Sequence, residues 1–110
     1  MILLTVNAGE ELIESVKQQV ARREITSGAI VSLVGAVDSC EISMPAKDGA
    51  DVTHEYSRPF ELTGTGEIIN GKVHVHAVLG CDGESPLVGH LHRARVERFH
   101  VHVYVVPLAP

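Results

Sequence analysis

Tryptophan is absent from this 110-residue chain, which holds only two phenylalanines and two tyrosines. The core must therefore be built from Val, Ile, Leu and Ala. Cysteine is scarce as well. Cys40 and Cys81 are the whole complement, too few for a disulfide-stapled scaffold. No hydrophobic run approaches the ~20 residues of a membrane span, so no membrane association is expected. The opening Met1-Ile2-Leu3-Leu4-Thr5-Val6 lacks the basic flank and cleavage site of a signal peptide. The expected compartment is the cytoplasm, with both thiols reduced. Positive charge is in deficit too. Nine basic residues face fourteen acidic ones, for a formal net charge of −5. Nucleic-acid binding leans on Lys and Arg neutralising phosphates, so the chain as a whole is a poor polyanion binder.

What remains is an ordinary globular composition, 45% hydrophobic and 21% charged. The length fits one domain over residues 1–110, able to bury ~65% of its unfolded surface. The organisation reads as one early helix followed by many strands. Ile2 to Val6 is a first strand. Asn7 is placed as a helix N-cap, with Glu10 three residues on completing a capping-box pattern. Leu12, Ile13, Val16 and Val20 recur at helical spacing, and the helix is expected to end between Ile25 and Gly28. Ala29 to Val37 is a nearly continuous apolar run, as in a strand buried on both faces. Further strands are expected at Glu41–Met44, Val52–Tyr56, Phe60–Ile69, Lys72–Leu79, Leu87–His92 and Arg93–Val106. Asn70-Gly71 is a strong two-residue hairpin signal. Apolar phase inverts near Glu97 to Phe99, which implies a bulge or a change of strand neighbours there. The predicted class is α+β, with a mostly antiparallel sheet of about seven strands and one main N-terminal helix.

One residue type is abundant where it carries chemistry. Six of the seven histidines form three His-x-His pairs, at His74/His76, His90/His92 and His100/His102. Residues i and i+2 of a strand share a face, so each pair sets two imidazoles side by side. Neutral imidazole is the commonest protein metal ligand. A lone pair of this kind is more often a polar strand face; three pairs point towards a metal site.

The chain resembles the "plants and prokaryotes conserved" (PPC) domain, found alone in prokaryotes and fused to AT-hooks in plants. Gly9-Glu10-Glu11-Leu12-Ile13-Glu14-Ser15 is similar to its opening helix, and Ser32-Leu33-Val34-Gly35-Ala36-Val37 to a characteristic strand. Pro59-Phe60-Glu61-Leu62 with Gly64, His74-Val75-His76-Ala77 and Gly89-His90-Leu91 resemble three further motifs. Val88 stands where the last motif carries its first glycine. The resemblance implies a seven-stranded α+β fold, a homotrimer, and a divalent metal, commonly zinc, held by His74, His76 and His90. Three nitrogens leave a further coordination position open. His92 shares a strand face with His90 and is a candidate to join or orient the set. Glu61 is a candidate general base beside a bound ion; its plainer role is a strand-face hydrogen bond. His100 and His102 match no family motif and read as a polar face or a subunit contact.

Two functions compete on this reading. One is a metal-binding, homotrimeric module associated with DNA or regulation. The other is a small zinc-dependent hydrolase or lyase acting on a small-molecule substrate, by likeness to the acetolactate decarboxylase fold. The chain carries no Arg-Gly-Arg-Pro AT-hook.

Overall fold

The structure, a computed structural model, describes residues 1–83 and 85–109. In chain order the elements are β1 (Ile2–Val6), α1 (Leu12–Arg22), β2 (Ser27–Val37), β3 (Ser39–Pro45), β4 (Asp51–Tyr56), β5 (Phe60–Ile69), β6 (Lys72–Gly80), β7 (Leu87–Arg95) and β8 (Val101–Pro107). All eight strands among the described residues join one sheet, ordered β1-β8-β2-β5-β6-β7-β3-β4. Every pairing is antiparallel. The class is α+β, as expected, with eight strands where about seven were expected. Among the described residues no helix is long and apolar enough to cross a membrane.

The strand expected over Arg93–Val106 is two strands. β7 ends at Arg95, and β8 starts at Val101 on the other side of β2, β5 and β6. The phase inversion thus marks a change of neighbours. A bulge does occur, but earlier: Glu41 and Ile42 of β3 pair with Arg93 and Leu91, leaving His92 as the extra residue.

The helix is displaced from its expected start. Gly9 adopts φ +93, which breaks the helical path after Asn7. Glu11 is the N-cap instead, its carboxylate accepting from the amides of Ile13 and Glu14. Glu10 keeps the reciprocal half of the expected box, accepting from the Asn7 amide at 2.6 Å. At the other end Glu24 enters the left-handed region at φ 56. The Ile25 and Glu24 amides then return to the carbonyls of Val20 and Ala21, closing the helix before Ile25.

One face of the sheet is packed and the other is bare. Leu12, Val16 and Val20 of α1 join Leu4, Val6, Ile30, Leu33, Leu62, Val75, Leu79, Leu91, Val101 and Val103 in the core. The helix touches β1, β6 and β7, strands separated by β8, β2 and β5, so it lies across this inner face. Glu11 also accepts from the Ala94 amide at 2.9 Å, tying the helix start to β7. β2 is not buried on both faces as its apolar run implied. A bulge at Val31 resets its phase, and Val31 and Val34 stay exposed on the outer face. Among the described residues only one helix is available to cover the sheet, so one face remains open.

Asp38, between β2 and β3, anchors the β7–β8 connection. Its carboxylate accepts from Arg98 Nε at 2.6 Å and from the amides of Glu97 and Arg98. The Arg98 hydrogen bond, helped by the two amides and opposed by partial burial, holds the carboxyl below its usual 3.8. A depressed carboxyl stabilises the fold fully above its unfolded value and loses that contribution as pH falls through the folded value. Asp38→Asn should therefore cost on the order of 1 kcal/mol at pH 7. Thermal denaturation should show the gap between variant and parent closing as pH drops below 3.8.

Candidate metal centre

The outer face of β6 carries His74 and His76, alternating with buried Val75, Ala77 and Leu79. The register comes from the Asn70-Gly71 turn, whose residues take φ 51 and φ 76 as a two-residue hairpin requires. Counting back from that turn sets Glu67 opposite His74 and Thr65 opposite His76. On the other side β7 places His90 directly opposite His76. The three imidazoles gather on one surface. Ring centroids lie 4.9 Å apart for His74 and His76, 4.4 Å for His74 and His90, and 6.0 Å for His76 and His90.

Among the described residues no group of three or more His, Cys, Asp or Glu is placed to hold a metal ion. One of the three separations, 4.9 Å, matches that of rings sharing an ion. Imidazoles bound through nitrogen at about 2.0–2.1 Å around a single ion put their centroids about 4.5–5.5 Å apart. The observed separations of 4.4–6.0 Å straddle that range. The donor types present, imidazole nitrogens with a carboxylate alongside, are those that a borderline divalent ion such as zinc takes. An open depression of about 380 Å³ adjoins the pair, lined by Thr65, Gly66, Glu67, His74 and His76.

Electrostatics favour the ligating form at His90. Burial first, then the neighbouring His92, His74 and His76, lower its pKa from 6.5, with Asp51 pulling the other way. His90 is thus neutral at neutral pH, ready to donate a lone pair. His92 stacks on His90 with centroids 4.4 Å apart, and its Nε2 lies 2.8 Å from Ser43 Oγ. Ser43 is only 2% exposed, so this contact occupies a hydroxyl that would otherwise be stranded. In this arrangement His92 braces the His90 ring.

The remaining candidates lie elsewhere. Glu61 is on the same outer face but pairs with Ala36 and Gly80. Thr65, the partner of His76, is four residues further along β5, roughly 14 Å at strand rise. Glu61 lines a separate groove with Val34, Val78 and Phe99. Glu67 is the carboxylate directly opposite His74. Counting the hairpin register from Asn70-Gly71 would have located it, because Glu67 and His74 are equidistant from the turn. Val88 pairs with Val78 on the outer face, 56% exposed, while Gly89 carries the close contact to β3. Cys40 is buried, and burial pushes its thiol up to about 11, so it is protonated at neutral pH. Cys81, just past β6, is a partly buried free thiol. His100 and His102 lie on β8 and its approach, across β2 and β5 from the cluster.

Two glycines bring β5 against the histidine strand. A Cβ on Gly66 would sit 2.3 Å from the His74 carbonyl oxygen, and one on Gly64 2.3 Å from that of His76. Gly66→Ala must therefore push β6 away and carry His74 with it. Overpacking of this kind costs about 1–3 kcal/mol. Thermal unfolding should record that loss, and the variant should bind zinc more weakly than the parent.

A model of the Plants and Prokaryotes Conserved (PCC) domain matches residues 1–109. Solved structures share the architecture. A metal-containing protein from Archaeoglobus fulgidus is 30% identical, with a TM-score of 0.76, covering 99% of this chain and 81% of that one. A plant- and prokaryote-conserved protein from Pyrococcus horikoshii is 20% identical, with a TM-score of 0.81, covering 99% and 79%. A "Putative DNA-binding protein" from Ralstonia eutropha is 19% identical, with a TM-score of 0.82, covering 96% and 76%. No curated protein matches the sequence. With one helix, one antiparallel sheet and a family match across nearly its whole length, the chain belongs to the Plants and Prokaryotes Conserved domain family.

Proposed function

We propose that this protein is a homotrimeric, metal-binding regulatory module of the cytoplasm. In this reading His74, His76 and His90 hold one divalent transition-metal ion per chain, zinc foremost. The observation that carries the proposal is the convergence of the three rings within 4.4–6.0 Å on one face. The metal-containing relative from Archaeoglobus fulgidus supports it. Trimerisation gives the bare outer face a use, since Leu3, Val31, Val34, Val78, Val88 and Phe99 are exposed apolar side chains.

The relative described as DNA-binding supports a DNA-associated role. This chain's charge argues for indirect association. Its net charge is −5, and three of its arginines are committed to carboxylates: Arg93 to Glu41, Arg95 to Glu97 and Arg98 to Asp38. Contact through a protein partner, with the ion setting the state of the module, fits these charges better than a direct grip on phosphates.

The alternative, a small metalloenzyme, draws on the open coordination position. Structural zinc usually has four closed protein ligands, whereas three leave room for a substrate. A divalent ion bound there would supply Lewis-acid polarisation of a carbonyl or an activated water. Glu67, opposite His74, is then the carboxylate placed to take a proton, and Glu61 would serve only a substrate long enough to reach its groove.

Zinc titration against a competing chromophoric chelator, with light scattering on the same sample, tests the proposal. One zinc per chain and a trimeric mass are expected. His76→Ala should abolish zinc binding while keeping the fold by circular dichroism. Wild-type protein that binds zinc no better than His76→Ala would refute it.

A further inference from the structure

The third histidine pair has a geometry of its own. β8 is an interior strand, flanked by β1 and β2, so its backbone is fixed on both sides. The His100 carbonyl accepts from the Ala36 amide at 3.2 Å, which pins the approach to the strand. His100 and His102 project side by side, with ring centroids 4.3 Å apart and planes inclined by 31°. Phe99 stacks on His100 at 4.0 Å, and Tyr104 meets His102 edge-on at 6.5 Å. Both rings are therefore braced from outside the pair.

The surroundings select the chemistry. His102 lies between Thr5 of β1 and Val34 of β2, and the next level of the face holds Leu3, Ser32 and Tyr104. No carboxylate stands at these positions; Glu61, on the same face, shares a groove with Val34 and Phe99. Two imidazole nitrogens suit copper, nickel or zinc. Copper(II) stands highest in the affinity order of divalent first-row ions, so it is the ion that a pair of imidazoles holds best. Three strand intervals separate β8 from β6, about 14 Å, so one ion cannot serve both clusters.

We infer that His100 and His102 form a second, independent metal site, a two-imidazole chelate for a divalent ion of the copper(II) or nickel(II) class. The site does not depend on the three-histidine reading, and its test is separable from it.

Copper(II) titration followed by electron paramagnetic resonance examines it directly. His100→Gln/His102→Gln should lose one bound copper relative to wild type and keep whatever His76→Ala removes. Equal copper uptake by wild type and the double variant would overturn the inference. A second measurement needs no variant. Substoichiometric copper(II) should broaden the ring proton resonances of His100 and His102 in the wild-type spectrum. Ring signals of these two residues that stay sharp, while those of other histidines broaden, would overturn it equally.

Discussion

The register of β5 against β6 is the constraint on which the outer face depends. Side chains alternate along a strand, so a slip of one residue would send His74 and His76 into the core and Val75 and Ala77 into solvent. Two features prevent that slip. The Asn70-Gly71 turn accepts two left-handed residues and so fixes which residues oppose each other. Gly64 and Gly66 let the backbones close to a distance that no side chain would permit. The buried row Val75, Ala77 and Leu79 then makes the register costly to leave, since each apolar side chain contributes through burial. The histidines are displayed because their neighbours are packed.

This explains what was legible in the sequence. Elements with a local signal were found: the Leu12–Val20 periodicity, the Asn70-Gly71 hairpin and the alternating strand beside it. The misreadings share a cause. The cap at Glu11, the bulges at Val31 and His92 and the break between β7 and β8 are set by partners distant in sequence. Glu11 caps the helix while also binding Ala94, a contact across most of the chain. The apolar stretch Ala29–Val37 suggested burial on two faces, yet the sheet has a helix on only one. Strand periodicity shows which residues share a face and is silent on what covers it.

The candidate centre was legible to the same degree. His-x-His spacing predicts a shared face, and the face is shared. Sequence alone did not bring β7 beside β6, which depends on sheet order and on the close approach at Gly89. Nor did it find Ser43 beneath His92, because that pairing joins two strands 49 residues apart. Glu67 was missed although the hairpin encodes its position. The balance of forces in the cluster is consistent with a metal-ready surface. Several imidazoles crowded together repel one another once protonated, so burial and proximity both keep His90 neutral. That neutrality is a cost to a surface that binds polyanions, which needs positive charge, and a help to one that donates lone pairs.

The central claim is that His74, His76 and His90 converge on a single ion. X-ray absorption at the zinc edge of zinc-loaded protein tests this most directly. The account predicts a first coordination sphere with three imidazole nitrogens, a light-atom fourth ligand and no sulfur. A sphere containing sulfur, or fewer than three imidazoles, would contradict it.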